Sequence, residues 1–326
     1  MPERLLVNPL AAPLAREPLP AGPVAFHRTL PGYAPTPLVE APAAAAALGV
    51  ERVLVKDESS RLGLPSFKVL GASWATHRAL RDRPPGRPTL ACATDGNHGR
   101  AVAWMARQLG IGATVFVPDA MVPARRAAIA AEGARVEVVD GTYDEAVERA
   151  AALAGPDVLV IQDTAWPGYE TVPAWVIEGY ATIGAEIAAE PDLVAVQIGV
   201  GSFAAAMVCR FAGARIFGVE PVSAACALAS IQAGELVEIP GPHDSVMAGL
   251  NCGRASPLAW PLVSRGIEAF AAVSDDRARE AVALLARDGV TAGESGAAGL
   301  AGLLAFRDEL APSGTVLVVN TEGATA

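Results

Sequence analysis

The chain has 326 residues, of which 52% are hydrophobic and 5% are aromatic. This length is more than a single hydrophobic core usually fills, so we expect two lobes. The formal charge is −10 and no basic cluster occurs, which argues against a nucleic acid as a partner.

The sequence also predicts a cytoplasmic protein with no membrane span. Its longest apolar region, residues 194–214, is interrupted by Gln197, Ser202 and Arg210, a pattern that indicates a buried strand followed by a helix. The N-terminus has no continuous apolar segment of the kind that export requires. The four cysteines form no CxxC pair, and neither they nor the four histidines have metal-ligand spacing, so we expect reduced thiols and no metal site.

Short apolar runs alternate with helix-like segments after residues 1–50, a proline- and alanine-rich opening that we expect to wrap a surface. The predicted strands lie at 53–55, 88–93, 113–117, 135–139, 158–162, 193–198, 216–219, 269–273 and 315–319. The predicted helices begin with a helix that follows Lys68 and continue at 97–109, 123–132, 144–153, 172–189, 202–211, 276–286 and 297–309. Continuous apolar runs are typical of parallel strands covered on both faces, so the alternation predicts a doubly wound α/β fold.

No linker divides the chain, and the second lobe is therefore expected to be an insertion. We predict a large lobe built from residues 1–75 and 172–326, and a small lobe built from residues 76–171. The small lobe would contain the four predicted strands that lie between residues 88 and 162.

Lys68 occupies an unusual place for a solvated cation, at the start of a helix that follows a strand and a polar loop. A desolvated lysine can lose its charge, and a neutral amine can form a Schiff base with a carbonyl compound. A helix-start lysine whose ammonium simply reaches water is the ordinary alternative.

Polar residues follow two strands of the predicted small lobe. Ligands of open parallel sheets bind at the carboxyl ends of the strands. The turn Thr94–Asp95–Gly96–Asn97–His98 leads into a helix, whose free N–H groups attract an anion such as a carboxylate. Asp163 follows the strand at 158–162 and suits acid/base chemistry. For each aspartate taken alone, ordinary helix or turn capping is the competing explanation.

A glycine-rich turn, Gly199 to Phe203, follows a third strand and opens a helix that suits a phosphate group. The same turn also fits a dinucleotide-binding pattern, because Glu220 stands at the end of the next strand, where a ribose-binding acid is found. A nicotinamide-dependent oxidoreductase is therefore an open alternative at this point.

Together, Ser66–Phe67–Lys68, TDGNHG from Thr94 and GVGS from Gly199 resemble the fold-type II pyridoxal-phosphate enzymes. That resemblance implies the two-lobed open parallel-sheet fold of the tryptophan synthase β-subunit kind. More narrowly, KDESSRLGLPSFKVLG, TDGNHGRAVAW, QDTAWPGYE, MAGLNCG, ESG and NTEG occur in this order and resemble diaminopropionate ammonia-lyase. The chain is short for that family and ends TEGATA, where the family usually continues with an aspartate-containing tail; we expect this difference to affect active-site closure or the dimer contact.

The resemblance implies a role for each matching residue. Lys68 would be the Schiff-base lysine, with Phe67 beside the cofactor and Asn97 on the ring hydroxyl. The cofactor phosphate would be held by Gly199, Val200, Gly201, Ser202 and Phe203, and Thr321 would lie near the pyridine nitrogen. Thr94, Asp95, Gly96 and His98 would bind the substrate. Asp95 and Asp163 would be paired catalytic carboxylates that serve opposite faces of the substrate Cα.

The implied reaction is β-elimination of ammonia from D- or L-2,3-diaminopropionate, giving pyruvate and ammonia, in a homodimer that uses pyridoxal 5′-phosphate. A serine/threonine dehydratase, or another β-eliminating or β-replacing enzyme of this cofactor, is the first alternative. An oxidoreductase and a non-catalytic binding module are the others. Lys68 argues against the oxidoreductase, and the complete set of Lys68, Asp95, Asn97 and Asp163 argues against the inert module.

Overall fold

In the part of the chain that the structure describes, two β-sheets, one of seven strands and one of four, form the framework. The structure is a computed structural model and describes residues 2–16, 18–81, 83 and 86–324. The last two residues of the TEGATA ending therefore lie outside the described part. The strands are β1 (Arg4–Val7), β2 (Leu38–Glu40), β3 (Arg52–Asp57), β4 (Thr89–Ala93), β5 (Ala113–Pro118), β6 (Arg135–Val139), β7 (Val158–Val160), β8 (Leu193–Gln197), β9 (Arg215–Pro221), β10 (Ala269–Val273) and β11 (Thr315–Asn320).

The larger sheet has the order β1-β10-β9-β8-β11-β3-β2. Its five central strands run parallel, whereas β1 and β2 pair antiparallel at the two edges. Part of the N-terminal opening thus joins the sheet, which the sequence analysis did not predict. Strands of three or four residues are too short to show an alternating pattern, and at an edge they are only partly buried.

The smaller sheet has the order β6-β5-β4-β7 and is parallel throughout. Its strands are the four that the sequence places between residues 88 and 162, and they form a sheet separate from all the others. The borders of the two lobes stay a prediction, because helix α3 (Lys68–Arg81) runs across the first proposed border.

The helices fill the connections between the strands, as a doubly wound fold requires. Besides α3, they are α1 (Ala21–His27), α2 (Pro42–Leu48), α4 (Asn97–Leu109), α5 (Pro123–Ala131), α6 (Tyr143–Ala151), α7 (Thr171–Ala185), α8 (Ser202–Arg210), α9 (Cys226–Ala233), α10 (Trp260–Gly266), α11 (Asp275–Arg287), α12 (Glu294–Ala305) and α13 (Arg307–Leu310). The predicted α/β fold with a parallel-sheet core is confirmed. No helix in the described part of the chain is long and apolar enough to cross a membrane.

Two helix predictions were wrong at their ends. The segment predicted as one helix at 297–309 begins earlier, at Glu294, and is divided at Phe306, whose φ of −124° and ψ of 30° leave the helical region. The helix predicted to reach residue 189 ends at Ala185, and the next residue, Glu186, turns its carboxylate to Lys56 and Arg61. At Glu186 the end of the helix coincides with ion pairs to distant residues, which local propensity does not report.

Alternate residues of β3 enter two different cores. Leu54 belongs to the core beneath α3, α7 and α8, whereas Val53 and Val55 belong to the core beneath α2, α11 and α12. Both faces of the larger sheet are therefore covered, and its carboxyl edge is left for a ligand.

Two glycines let α3 and α7 pack closely. A Cβ on Gly71 would lie 2.6 Å from the Tyr180 ring, and a Cβ on Gly179 would lie 2.6 Å from the carbonyl oxygen of Leu70. This packing anchors the first turn of α3, which begins with Lys68.

Candidate active site

A cavity of about 300 Å³ lies at the carboxyl ends of strands from both sheets. The structure brings every residue proposed for the site to this cavity: Phe67, Lys68, Thr94, Asp95, Gly96, Asn97, His98, Asp163, Gly199, Val200, Gly201, Ser202, Phe203 and Thr321. Parallel strands end at the same edge, and this shared edge is why residues so distant in sequence meet. Their individual roles stay predictions.

Lys68 forms an ion pair with Asp163. Its Nζ donates a hydrogen bond of 2.7 Å to Asp163 Oδ2, and it lies 5.5 Å from the centre of the Phe67 ring. Burial lowers the pKa of the Lys68 ammonium, but the charge of Asp163 outweighs this and holds the pKa above its ordinary value. Burial raises the pKa of the Asp163 carboxyl, but the charge and the hydrogen bond of the Lys68 ammonium lower it more, to about 2. The pair therefore keeps Lys68 protonated and Asp163 ionised in this structure, and the loss of charge that the sequence suggested for Lys68 is not found.

His98 lies beside this pair. Its Nε2 is 2.8 Å from the carbonyl oxygen of Ile161, and its Nδ1 is 3.7 Å from Asp163 Oδ2. Because a carbonyl can only accept, Nε2 carries the proton of the neutral ring, and Nδ1 is left with a lone pair and no hydrogen-bond partner among the described residues. Burial lowers the pKa of His98, so the neutral ring is favoured. The imidazole is thus held by the main chain next to a catalytic candidate.

Asp95 lies on the turn before α4. The turn is built by a hydrogen bond of 2.9 Å from the Gly96 N–H to Thr94 Oγ1, and Gly96 has a φ of +153°, which suits only glycine. Burial raises the pKa of the Asp95 carboxyl to about 7, although the Arg125 guanidinium opposes the shift. A carboxyl group with this pKa can act as a base near neutral pH.

Helix capping does not explain either aspartate. No side chain caps α4, whose N-cap residue is Gly96. Asp163 bonds to Lys68 through its carboxylate, and its main-chain oxygen accepts a hydrogen bond of 2.8 Å from Ser202 Oγ. Helix capping is therefore wrong as the explanation for either residue.

The turn between β8 and α8 presents main-chain N–H groups that no side chain covers. A Cβ on Gly199 would lie 3.0 Å from the carbonyl oxygen of Gly249, and Gly201 has a φ of +93°. No side chain caps α8, and the N–H groups of Gly199, Gly201 and Ser202 find no acceptor within the described residues. Free N–H groups at the start of a helix bind phosphate, so this turn fits a phosphorylated cofactor.

The end of β11 contributes Thr321 and an acid that the sequence analysis left without a role. Thr321 Oγ1 accepts a hydrogen bond of 2.7 Å from Gln197 Nε2. Glu322 Oε2 accepts one of 2.6 Å from Asn97 Nδ2, and burial raises the pKa of the Glu322 carboxyl. Asn97 is therefore oriented by Glu322, whose place in the NTEG motif was the available signal.

Glu220 is not a ligand-binding residue of the kind that a dinucleotide site needs. It is fully buried, and its two carboxylate oxygens accept hydrogen bonds of 2.8 Å each from the N–H groups of Ala227 and Leu228 in the first turn of α9. It does not line the cavity. The ribose-binding hypothesis for Glu220 is wrong, and the oxidoreductase alternative loses its support.

Arg125 and Tyr143 also line the cavity and were missed. They lie on α5 and α6, and neither follows a strand end directly. No motif signals such residues, because their approach to the cavity depends on how these helices sit on the smaller sheet.

Comparison with known proteins agrees with this geometry. Diaminopropionate ammonia-lyase of Escherichia coli (strain K12) is 34% identical, over 92% of this chain and 87% of the relative. Crystal structures of the Escherichia coli enzyme with an aminoacrylate-PLP azomethine reaction intermediate and with D-serine match with TM-scores of 0.90 and 0.89, each at 32% identity over 99% of this chain and 94% of the other. An L-threonine dehydratase of Mycobacterium leprae is 30% identical, over 92% of this chain and 70% of the relative.

The family described as pyridoxal-phosphate dependent enzyme matches residues 29–322. The matched region contains both sheets except for β1, together with the lysine, the glycine turn and the two aspartates of the cavity. The chain belongs to the family of pyridoxal-phosphate dependent enzymes.

Proposed function

We propose that the protein catalyses the β-elimination of ammonia from 2,3-diaminopropionate, giving pyruvate and ammonia. The observation that carries the proposal is that Asp95 and Asp163 line one cavity with Lys68. The similarity to diaminopropionate ammonia-lyase over 92% of the chain supports the same reaction.

The cofactor would be held by the chain's own donors. Lys68 would bind it covalently, and the N–H groups of Gly199 to Phe203 would bind its phosphate. The side chains of Asn97 and Thr321 would bind its ring. When bound, pyridoxal 5′-phosphate withdraws electrons from the substrate Cα, which acidifies the Cα proton.

Asp95 and Asp163 would accept that proton from the two opposite faces of Cα. The pKa of Asp95, about 7, suits a base that takes the proton of the D-substrate. Asp163 would serve the L-substrate, and the neighbouring Lys68 and His98 Nδ1 offer places to which a proton could pass. Both enantiomers would then be substrates.

The two carboxyl groups would also select the substrate. The β-amino group of diaminopropionate is a cation and can pair with a buried carboxylate, whereas the neutral hydroxyl of serine or threonine cannot offset that charge. The acidic cavity therefore favours the diamino acid over the dehydratase alternative, even though a threonine dehydratase is 30% identical.

The test is a substrate comparison with purified protein saturated with pyridoxal 5′-phosphate. We expect pyruvate from D- or L-diaminopropionate with a kcat/KM at least about 100-fold above that for either serine enantiomer. The oxo-acid formed from L-threonine is measured in parallel. A kcat/KM for serine or threonine equal to or above that for diaminopropionate would assign the protein to the dehydratases instead.

We further propose that the protein is a cytoplasmic homodimer. The resemblance implies the dimer, and the four free cysteines are consistent with a reducing compartment. Light scattering coupled to gel filtration is expected to give twice the chain mass of 33.3 kDa. A monomer mass would contradict the dimer. Fractionation of cells that produce the protein tests the location, and we expect the protein in the cytoplasmic fraction.

A further inference from the structure

Tyr143 is held by a glutamine whose orientation is fixed. Gln162 Oε1 accepts a hydrogen bond of 2.9 Å from the Ala93 N–H, and Gln162 Nε2 donates one of 3.2 Å to the Ala93 carbonyl oxygen. A flipped amide would place its NH2 group against an N–H and its oxygen against a carbonyl, so the nitrogen is assigned by its partners.

The same Gln162 Nε2 lies 3.0 Å from the Tyr143 hydroxyl. Because this nitrogen is a donor only, the phenol oxygen is the acceptor, and the phenol proton remains for another partner. No described residue accepts that proton, and Tyr143 lines the cavity. Burial and the nearby Asp163 raise the pKa of Tyr143 well above its ordinary value, so the phenol keeps its proton and acts as a donor.

The proposed substrate offers one strong acceptor for this proton. Both amino groups of diaminopropionate are donors or are engaged in the reaction, and its carboxylate is the only strong acceptor. The turn Thr94 to His98, on which the substrate carboxylate is expected, lines the same cavity as Tyr143. We propose, on the basis of the proposed function, that the Tyr143 hydroxyl donates a hydrogen bond to the α-carboxylate of the amino-acid substrate.

Tyr169 provides a matched control. Its hydroxyl accepts a hydrogen bond of 2.9 Å from the Gln162 N–H and donates one of 2.8 Å to the Val160 carbonyl oxygen. Both tyrosines therefore bond to Gln162, but the Tyr169 proton is used within the protein and its ring does not line the cavity. Loss of the Tyr169 hydroxyl tests the structural effect alone.

The experiment compares Tyr143→Phe and Tyr169→Phe as holoenzymes. D-Serine, with which the Escherichia coli relative forms a complex, is titrated while cofactor absorbance is recorded, and 2-amino-1,3-propanediol, which lacks a carboxylate, is titrated in the same way. We expect Tyr143→Phe to raise the Kd of D-serine about tenfold, to leave the Kd of the diol within about twofold, and to leave cofactor affinity unchanged. Tyr169→Phe is expected to lower the melting temperature but to keep the D-serine Kd.

Three results for Tyr143→Phe would overturn the inference: an unchanged Kd of D-serine, an equal rise in the Kd of D-serine and of the diol, or a loss of cofactor affinity. The last result would show that the phenol donates its hydrogen bond to the cofactor. The proposed function can fail separately. A protein that releases no pyruvate from diaminopropionate, but whose D-serine affinity depends on the Tyr143 hydroxyl, would keep the carboxylate contact and reject only the reaction.

Discussion

Replacement of Asp95 by asparagine removes the proposed base for the D-substrate while it keeps a side chain of nearly the same shape. Burial raises the pKa of the Asp95 carboxyl to about 7. Only the ionised carboxylate accepts a proton, and a group with this pKa is about one-tenth ionised at pH 6 and about nine-tenths ionised at pH 8. We therefore expect kcat/KM of the wild type on D-diaminopropionate to rise about tenfold between pH 6 and pH 8 and then to level off.

The assay is the initial rate of pyruvate release from each enantiomer at substrate concentrations below KM. Asp95→Asn is expected to lose roughly 100-fold or more on the D-substrate, because general-base catalysis contributes about that much. Its rate on the L-substrate is expected to change little. For the L-substrate, the wild-type rate is expected to show no pH dependence from Asp163 between pH 6 and pH 8, because the Lys68 ammonium holds the pKa of that carboxyl at about 2.

Two neighbouring charges supply controls that act in opposite directions. The guanidinium of Arg125 lowers the pKa of Asp95, whereas the carboxylate of Asp144 raises it. In a plot of kcat/KM on D-diaminopropionate against pH, Arg125→Met is therefore expected to move the rising part to higher pH. Asp144→Asn is expected to move it to lower pH. The assignment of Asp95 as the base would be refuted by two results together: a wild-type kcat/KM on D-diaminopropionate that is constant from pH 6 to pH 8, and a loss of kcat/KM below about tenfold in Asp95→Asn.

Three further changes test other parts of the structure. Lys68→Ala is expected to abolish turnover with the fold retained, and borohydride treatment of the wild type should attach the cofactor to the Lys68 peptide in a mass spectrum; substantial remaining elimination would contradict this role. Asp163→Asn is expected to lose roughly 100-fold or more on L-diaminopropionate and less on the D-substrate, and equal small losses on both would reject the two-base arrangement. Gly179→Ala would place a Cβ 2.6 Å from the Leu70 carbonyl oxygen and is expected to destabilise the fold by about 1–3 kcal/mol in thermal unfolding, whereas Gly155→Ala, where the nearest atom is 3.8 Å away, should change stability far less.

Much of the fold could be predicted from short segments of the sequence. The strands at the centres of the sheets are continuous apolar runs, and burial on both faces imposes that pattern on any parallel strand. Helix α4 runs from Asn97 to Leu109 as predicted, between a turn that carries glycine and a C-cap glycine in the left-handed region. Where the local signal was weak, as in β1 and β2, pairing at a sheet edge decided the structure.

The gathering of Lys68, Asp95, Asp163 and Gly199 was predictable for a related reason, since residues that follow parallel strands meet at one edge whatever their distance in sequence. The role of each residue at a strand end, by contrast, could not be predicted from the sequence. Glu220 stands at a strand end just as Asp163 does, yet the first faces the N–H groups of α9 and the second faces an ammonium. Sequence position gives the end of the sheet at which a side chain lies, and only the packing of the following helix gives its partner.

The sequence by itself determined the class of fold through its periodicity. The side chains at the sheet edge follow from the strand ends, and the cofactor family follows from the resemblance of the contiguous motifs to known enzymes. Only the tertiary structure decided the charge states of the cavity residues and the side chains that orient them. Burial raises the pKa of Asp95, Glu322 orients Asn97, and Gln162 turns the Tyr143 hydroxyl into a donor toward the cavity. Each of these effects depends on distance and burial among segments far apart in the chain, and no local pattern of residues encodes such distances.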